Sequence, residues 1–385
     1  MNNRNLRRAI YAITFVYTTN FALTLYVNSS FLGGFLSPQM VSVLFSIASL
    51  VAMLSLLCTT HLYARIGQHR VTQWFLLINM LGAAVLATTT TIWFILPFWV
   101  LFYCTGVLLR FDLDIYMEKV TNNEDTGTVR GIFLTVLNFA IFVSPFIAGR
   151  IVGDGNNYTL IYFTASGIAV ITLLLATTTL RGIKTVQYRA RPLITSFKST
   201  LRNSDLRNII ATTFILEFFY SWMVIYNPLY LHEYIGFDWG TIGIILSIML
   251  LPFVLIQYPL GRIADTWLGE KEILITGFII LAITTGSISF ISIPSIALFA
   301  GVLLLSRIGA AAVEIMNETY FFKKVDAKDA DIISLLRITR PLAFIIGPLL
   351  GALILYVIPF NMLFLVLGGI MLTGIFFAIR LVDTR

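Results

Sequence analysis

Residues 239–260 read WGTIGIILSIMLLPFVLIQYPL, and residues 261–271 continue GRIADTWLGEK. The first run holds no charged side chain and is as long as a helix must be to cross a bilayer, about 20 residues. The second gathers Arg262, Asp265, Glu270 and Lys271 in a short polar segment of the kind that joins two such helices at a membrane surface. The rest of the chain has the same character. Of its 385 residues 58% are hydrophobic and 12% charged, with a mean hydropathy of +0.89, whereas soluble domains carry about 25% charged residues. So few charges cannot coat a soluble globule of this size, which excludes a water-soluble enzyme, a nucleic-acid binder or a disordered scaffold. The chain reads as an all-α polytopic membrane protein whose partners include the lipid bilayer and no nucleic acid.

Working outward from 239–260, eleven further windows are long and apolar enough to span: 9–32, 40–60, 71–93, 96–117, 129–150, 158–180, 208–231, 272–292, 294–317, 332–356 and 359–381. Twelve spans place both termini on one side, and the basic residues say which side. Segments that would then face the cytoplasm hold 22 of the 26 Lys and Arg, and the outer loops hold only Arg150. Cytoplasmic loops collect Lys and Arg, so the expected location is the cell membrane, multi-pass, with both termini cytoplasmic. The formal charge of +7 is thus a topology signal first. Arg4, Arg7 and Arg8 precede the first apolar run with no small-residue cleavage signal, so that run is expected to remain as the first span. Cys58 and Cys104 both lie in apolar runs, and no disulfide framework is expected.

The longest polar stretch, 181–207, carries seven basic residues against the single acid Asp205. It divides the chain into 1–180, an N-terminal six-helix bundle, 181–207, a cytoplasmic linker, and 208–385, a C-terminal six-helix bundle. Within the linker, 192–202 reads either as a short helix lying on the membrane surface or as a flexible basic tether. The two bundles echo each other. Leu113-Asp114-Ile115-Tyr116-Met117-Glu118 matches Val313-Glu314-Ile315-Met316-Asn317-Glu318, and Ser144-Pro145-Phe146-Ile147-Ala148-Gly149 answers Gly347-Pro348-Leu349-Leu350-Gly351-Ala352, at offsets near 200. A duplicated six-helix unit suits a carrier that opens alternately to each side.

The segment Gly261-Arg262-Ile263-Ala264-Asp265-Thr266-Trp267-Leu268-Gly269-Glu270-Lys271 resembles the signature loop of the major facilitator superfamily, in which a glycine is followed four residues later by aspartate, then by another glycine and basic residues. Its counterpart after the second span keeps Arg65, Gly67 and Arg70 but has Thr60 and Ala64 in place of the glycine and aspartate. With twelve spans, a long central loop and an internal repeat, the resemblance covers essentially the whole chain. It implies two pseudo-symmetric six-helix bundles and secondary transport by alternating access. It also implies an inner gate built from Arg65, Gly67, Arg70, Gly261, Asp265, Gly269 and Lys271, with Asp265 near Arg337 or Arg340. Arg110 resembles in position the fourth-helix arginine of the drug/proton antiporters, although Phe111-Asp112-Leu113-Asp114 replaces the surrounding pattern. Pro145, Gly149 and Pro348 resemble the fifth-helix proline and glycine motif, where they would kink and closely pack the helix.

Charged groups inside spans are costly unless they face protein or water, which makes each a candidate for function. Thr213, Glu217, Tyr220 and Asn227 share one face of the seventh span, and Tyr17, Asn20, Thr24 and Asn28 share one face of the first. Burial penalises the charge on Glu217 and makes it a candidate proton carrier; a fixed hydrogen bond across the bundle is the alternative. The amide and hydroxyl stripe of the first span could contact solute or tie helix to helix. In the fourth span Arg110, Asp114 and Glu118 stack on one face, with Asp112 turned away from it, and Arg307, Glu314 and Glu318 repeat the arrangement in the tenth. Asn138 precedes Pro145 by two turns. The candidate solute and proton set is therefore Asn20, Thr24, Asn28, Arg110, Asp114, Asn138, Glu217, Tyr220, Arg307 and Glu314.

No phosphate-binding glycine loop, hydrolytic triad or metal-ligand grouping is visible, and no cofactor or catalytic residue is expected. The expected activity is carriage of a small-molecule substrate by a monomer, coupled to protons, with export of amphipathic or drug-like compounds the first reading. A sugar, organic-acid or amino-acid permease is the alternative, as is a non-transporting receptor in a carrier-like fold.

Overall fold

A computed structural model of the chain describes residues 3–120, 126–153, 156–181, 202–264, 269–325 and 330–382. Among the described residues, twelve helices are long and apolar enough to cross a membrane. In chain order these spans are Asn5–Gly33, Pro38–Leu56, Gln68–Thr88, Ile92–Met117, Thr135–Val152, Tyr158–Thr179, Ser204–Tyr234, Trp239–Gly261, Glu270–Phe290, Ile296–Phe321, Leu335–Leu355 and Phe360–Ile379. A chain in hydrocarbon must pair its backbone polar groups internally, and the helix does so within each segment. Asp265 lies outside the described residues, as does 192–202 apart from Arg202.

Two compact units emerge. One comprises Met1–Leu36, Ile47–Tyr188 and Asp238–Ile244; the other comprises Ser37–Ser46, Arg189–Phe237 and Ile245–Arg385. The start of the second span groups with the second unit and the start of the eighth with the first. In the first unit span one packs on spans four, five and six, and span three packs on spans four and six. In the second, span seven packs on ten, eleven and twelve, and span nine on ten and twelve, so each of these pairings recurs with six added. Small residues permit the closest crossings. A Cβ on Gly309 would lie 2.7 Å from the Gly277 carbonyl, where spans nine and ten cross backbone to backbone.

The inner turns are built alike in the two halves. Gly67 at φ +83° separates the second and third spans, and Gly269 at φ +82° precedes the ninth, a conformation that only glycine adopts without strain. The residue after each glycine is buried and bonded to a lysine ending the neighbouring span. Lys119 donates to Gln68, and Lys323 donates to Glu270 at 2.5 Å. These contacts place Tyr116-Met117-Glu118-Lys119 opposite Tyr320-Phe321-Phe322-Lys323, an offset of 204 residues, while the glycines repeat at 202. The fourth and tenth spans therefore correspond one helical turn further along than the acidic-pair match at 200 suggests, in line with the 203 that separates Pro145 from Pro348.

Pro145 and Pro348 both sit inside continuous helices, Thr126–Val152 and Ala330–Leu355. Between the seventh and eighth spans, Asp238 caps the eighth. Its carboxylate accepts from the Thr241 amide at 2.8 Å and the Thr241 hydroxyl at 2.6 Å, and these bonds hold it below the usual carboxylate range. Stability from this cap is present above the unfolded pKa and is lost as pH falls through the depressed folded value.

Candidate functional site

In the second unit, four spans bring charged and polar side chains to one place. Tyr220 of span seven donates to Glu314 Oε2 of span ten at 3.3 Å. Gln257 of span eight donates to the same oxygen at 3.0 Å. Glu217 Oε2, one turn before Tyr220, faces Arg340 Nε of span eleven at 3.7 Å. Arg307 is 1% exposed, with its guanidinium 4.8 Å from the centre of the Phe219 ring. The structure thus unites Glu217, Tyr220 and Glu314, draws in Arg340, which the sequence assigned to the gate, and adds Gln257. Rings frame the cluster, with Phe253 6.1 Å from Tyr220 and Phe219 5.7 Å from it.

Gln257 opens the second of two helical segments of span eight, Trp239–Leu255 and Gln257–Ile263. They join at Ile256, whose φ of −104° and ψ of −28° stay in the right-handed helical region and whose amide donates to the Pro252 carbonyl at 2.9 Å. Pro252 has no amide proton and Pro259 follows within the second segment, so backbone pairing is thinned across this stretch. The sequence signal was a lone glutamine in an otherwise apolar run, ahead of a proline.

Asn20, Thr24 and Asn28 occupy a different setting, inside the first unit. Asn20 Nδ2 donates to the Ala165 carbonyl at 3.0 Å, and Thr24 donates to Phe21 within its own helix. Asn28 Oδ1 accepts from Trp99 Nε1 at 3.2 Å and from the Tyr162 hydroxyl at 2.7 Å. Asn79 joins spans three and four through Phe102 and Thr105. These groups line a cavity of about 10 Å³ with Tyr17 and Gly106, room for roughly one water. Asn28→Ala strands two buried donors, so we expect a loss of about 1–3 kcal/mol, read as a lower unfolding temperature of the purified protein in detergent. An unchanged temperature would refute the tie.

Arg110 and Asp114 are half-buried on the fourth span, as is Asn138 on the fifth. Asp112, on the opposite side of the helix from them, is fully buried. It accepts from Tyr63 at 2.8 Å, Gln68 at 2.6 Å and Thr72 at 2.5 Å. Sequence reasoning gave this residue no role; its three neutral donors make it the anchor of the first half's inner turn. At the gate positions, Arg65 and Arg70 are exposed, Gly261 and Lys271 are half-buried, and Arg337 pairs with Glu318 at 2.9 Å in an exposed bridge. Among the described residues no group of three His, Cys, Asp or Glu could hold a metal ion.

The sequence model of the Major Facilitator Superfamily matches residues 9–330 and again 209–385. Among curated proteins none matches in sequence. Among solved structures, a mutant form of the nucleoside transporter NupG superposes with a TM-score of 0.78 over 97% of this chain and 99% of its own, at 13% identity. A bacterial homolog of the human lysosomal transporter Spinster, inward-facing and unoccupied, gives 0.72 over 98% and 95%, at 10% identity. At these identities the likeness is one of fold.

Proposed function

The chain belongs to the Major Facilitator Superfamily of secondary transporters, and from that premise we propose that it moves an amphipathic small molecule out of the cell in exchange for protons. It works as a monomer in the cell membrane, with both termini cytoplasmic, by exposing the solute to each side in turn. The observation that carries the reading is the cluster in the second unit, where two carboxylates, Glu217 and Glu314, meet Arg340, Tyr220 and Gln257 among spans seven, eight, ten and eleven. Carboxylates inside a membrane protein are costly and mark ion or proton paths. Among the described residues Glu314 receives its hydrogen bonds from the neutral donors Tyr220 and Gln257, which suits a group that alternates between charged and protonated forms. Glu217, beside Arg340, supplies a counter-charge.

The flanking rings Phe219, Tyr220 and Phe253 favour a solute with an apolar body. A permease for a strongly hydrophilic solute would draw on the amide stripe of span one, and Asn20 and Asn28 are already engaged in bonds between helices. The test is flux in reconstituted vesicles across a panel of amphipathic cations, sugars, organic acids and amino acids, each with and without a pH gradient. An imposed gradient should drive uphill movement of the amphipathic compounds. Flux of any solute that ignores the gradient refutes proton coupling, and gradient-driven movement of sugars or acids alone refutes the solute class.

A further inference from the structure

Resting on that reading, we propose that Gln257 is a positioning residue for proton carriage, one that reserves Glu314 Oε2 as an acceptor and directs the carried proton to Oε1. The argument is one of donors and acceptors. Oε2 of Glu314 takes two hydrogen bonds, from Tyr220 and from Gln257. A tyrosine hydroxyl can reverse and accept, whereas an amide nitrogen can only donate. A proton on Oε2 would have to be given to a reversed Tyr220 hydroxyl and would leave the Gln257 N–H bonding a hydroxyl oxygen, a weaker acceptor than the carbonyl that Oε2 remains when the proton is on Oε1. Oε1 carries no such constraint, so the proton resides there.

Gln257 lies one helical turn beyond Phe253 on span eight, and the Phe253 ring sits 6.1 Å from the Tyr220 ring, so both side chains reach the Tyr220–Glu314 pair from one face of that span. The charged groups facing Glu314 are Glu217 on span seven, Glu318 on its own helix and Arg340 on span eleven; Tyr220 completes the ring. None of them can substitute for Gln257 as a fixed neutral donor.

The experiment compares gradient-driven accumulation with solute-for-solute exchange in vesicles holding wild type, Gln257→Leu or Gln257→Glu. Without the donor, Gln257→Leu should lower gradient-driven accumulation at least about tenfold further than it lowers exchange, a difference of about 1.4 kcal/mol. Gln257→Glu should retain accumulation at acidic pH, where the new carboxyl is protonated and donates, and lose it at alkaline pH, where two like charges meet. A residue that merely packs would leave the ratio of the two fluxes at its wild-type value in both variants, across all pH, and that result overturns the proposal. Should Gln257→Leu fail to fold, the acid-dependent behaviour of Gln257→Glu decides alone. If wild type itself shows no gradient-driven flux, the functional reading fails instead, so the two failures are distinct.

Discussion

Replacing Glu314 by glutamine should reduce gradient-driven accumulation to the level of protein-free vesicles while solute-for-solute exchange continues. The substitution keeps the shape of the side chain and its capacity to accept from Tyr220 and Gln257, so packing in the second unit is preserved. It removes the one thing a proton carrier needs, an oxygen that gains and loses a proton. Exchange of solute for solute requires only the alternation of the protein, which a permanently neutral group at 314 permits. Glu217→Gln differs because it removes the partner of Arg340. The Arg340 side chain is 44% exposed, so water screens its charge and the stability cost is small. Both modes of transport should slow together. Uphill accumulation by Glu314→Gln at the wild-type level would move the proton role to Glu217 or out of the cluster altogether.

The spans and the paired architecture were legible because burial in lipid leaves a coarse mark, a run of apolar residues with basic residues at one end. The register between the halves was less so, for a geometric reason. A slip of four residues returns a helix to nearly the same face, so Asp114 meets an acid at either offset, Glu314 at 200 and Glu318 at 204, although Glu118 meets one only at 200. Only the contacts of Lys119 with Gln68 and of Lys323 with Glu270 separate the two.

The role of a polar residue was harder still to read. Asn28 and Glu314 both lie on polar faces of membrane helices, and a hydrogen bond between helices calls for the same side chains as contact with a solute. What distinguishes them is the partner. Trp99 and Tyr162 complete Asn28 within one bundle, whereas Glu314 gathers groups from several spans around a carboxylate. Gln257 escaped notice because a single amide in span eight has no periodicity; its meaning comes from the Glu314 oxygen that it bonds on another span.

Gly149→Val should abolish transport, and Gly149→Ala should cut it at least tenfold, each with the protein still inserted in the membrane. A Cβ built on Gly149 would fall 2.3 Å from the Trp239 carbonyl oxygen and 3.0 Å from the Cα of Gly243. These are backbone atoms, so no side chain can swing aside, and the fifth span must move away from the start of the eighth by roughly 1 Å, enough to forfeit much of the dispersion energy of the contact. The crossing is reciprocal, since a Cβ on Gly243 would lie 2.5 Å from the Pro145 carbonyl. Trp239 Nε1 reaches the Tyr158 hydroxyl at 3.2 Å beside the same crossing, and separation would stretch that bond as well. Gly167, around which a Cβ meets nothing within 4 Å, supplies the control. Its alanine variant should transport normally and gain up to about 1 kcal/mol from helix propensity. Because Gly149 and Gly243 face one another, either alanine alone already parts the helices, and the double variant should lose little more than each single one. Losses that simply add would mean the two glycines act at separate contacts, and normal flux by Gly149→Val would mean that transport does not require this close crossing.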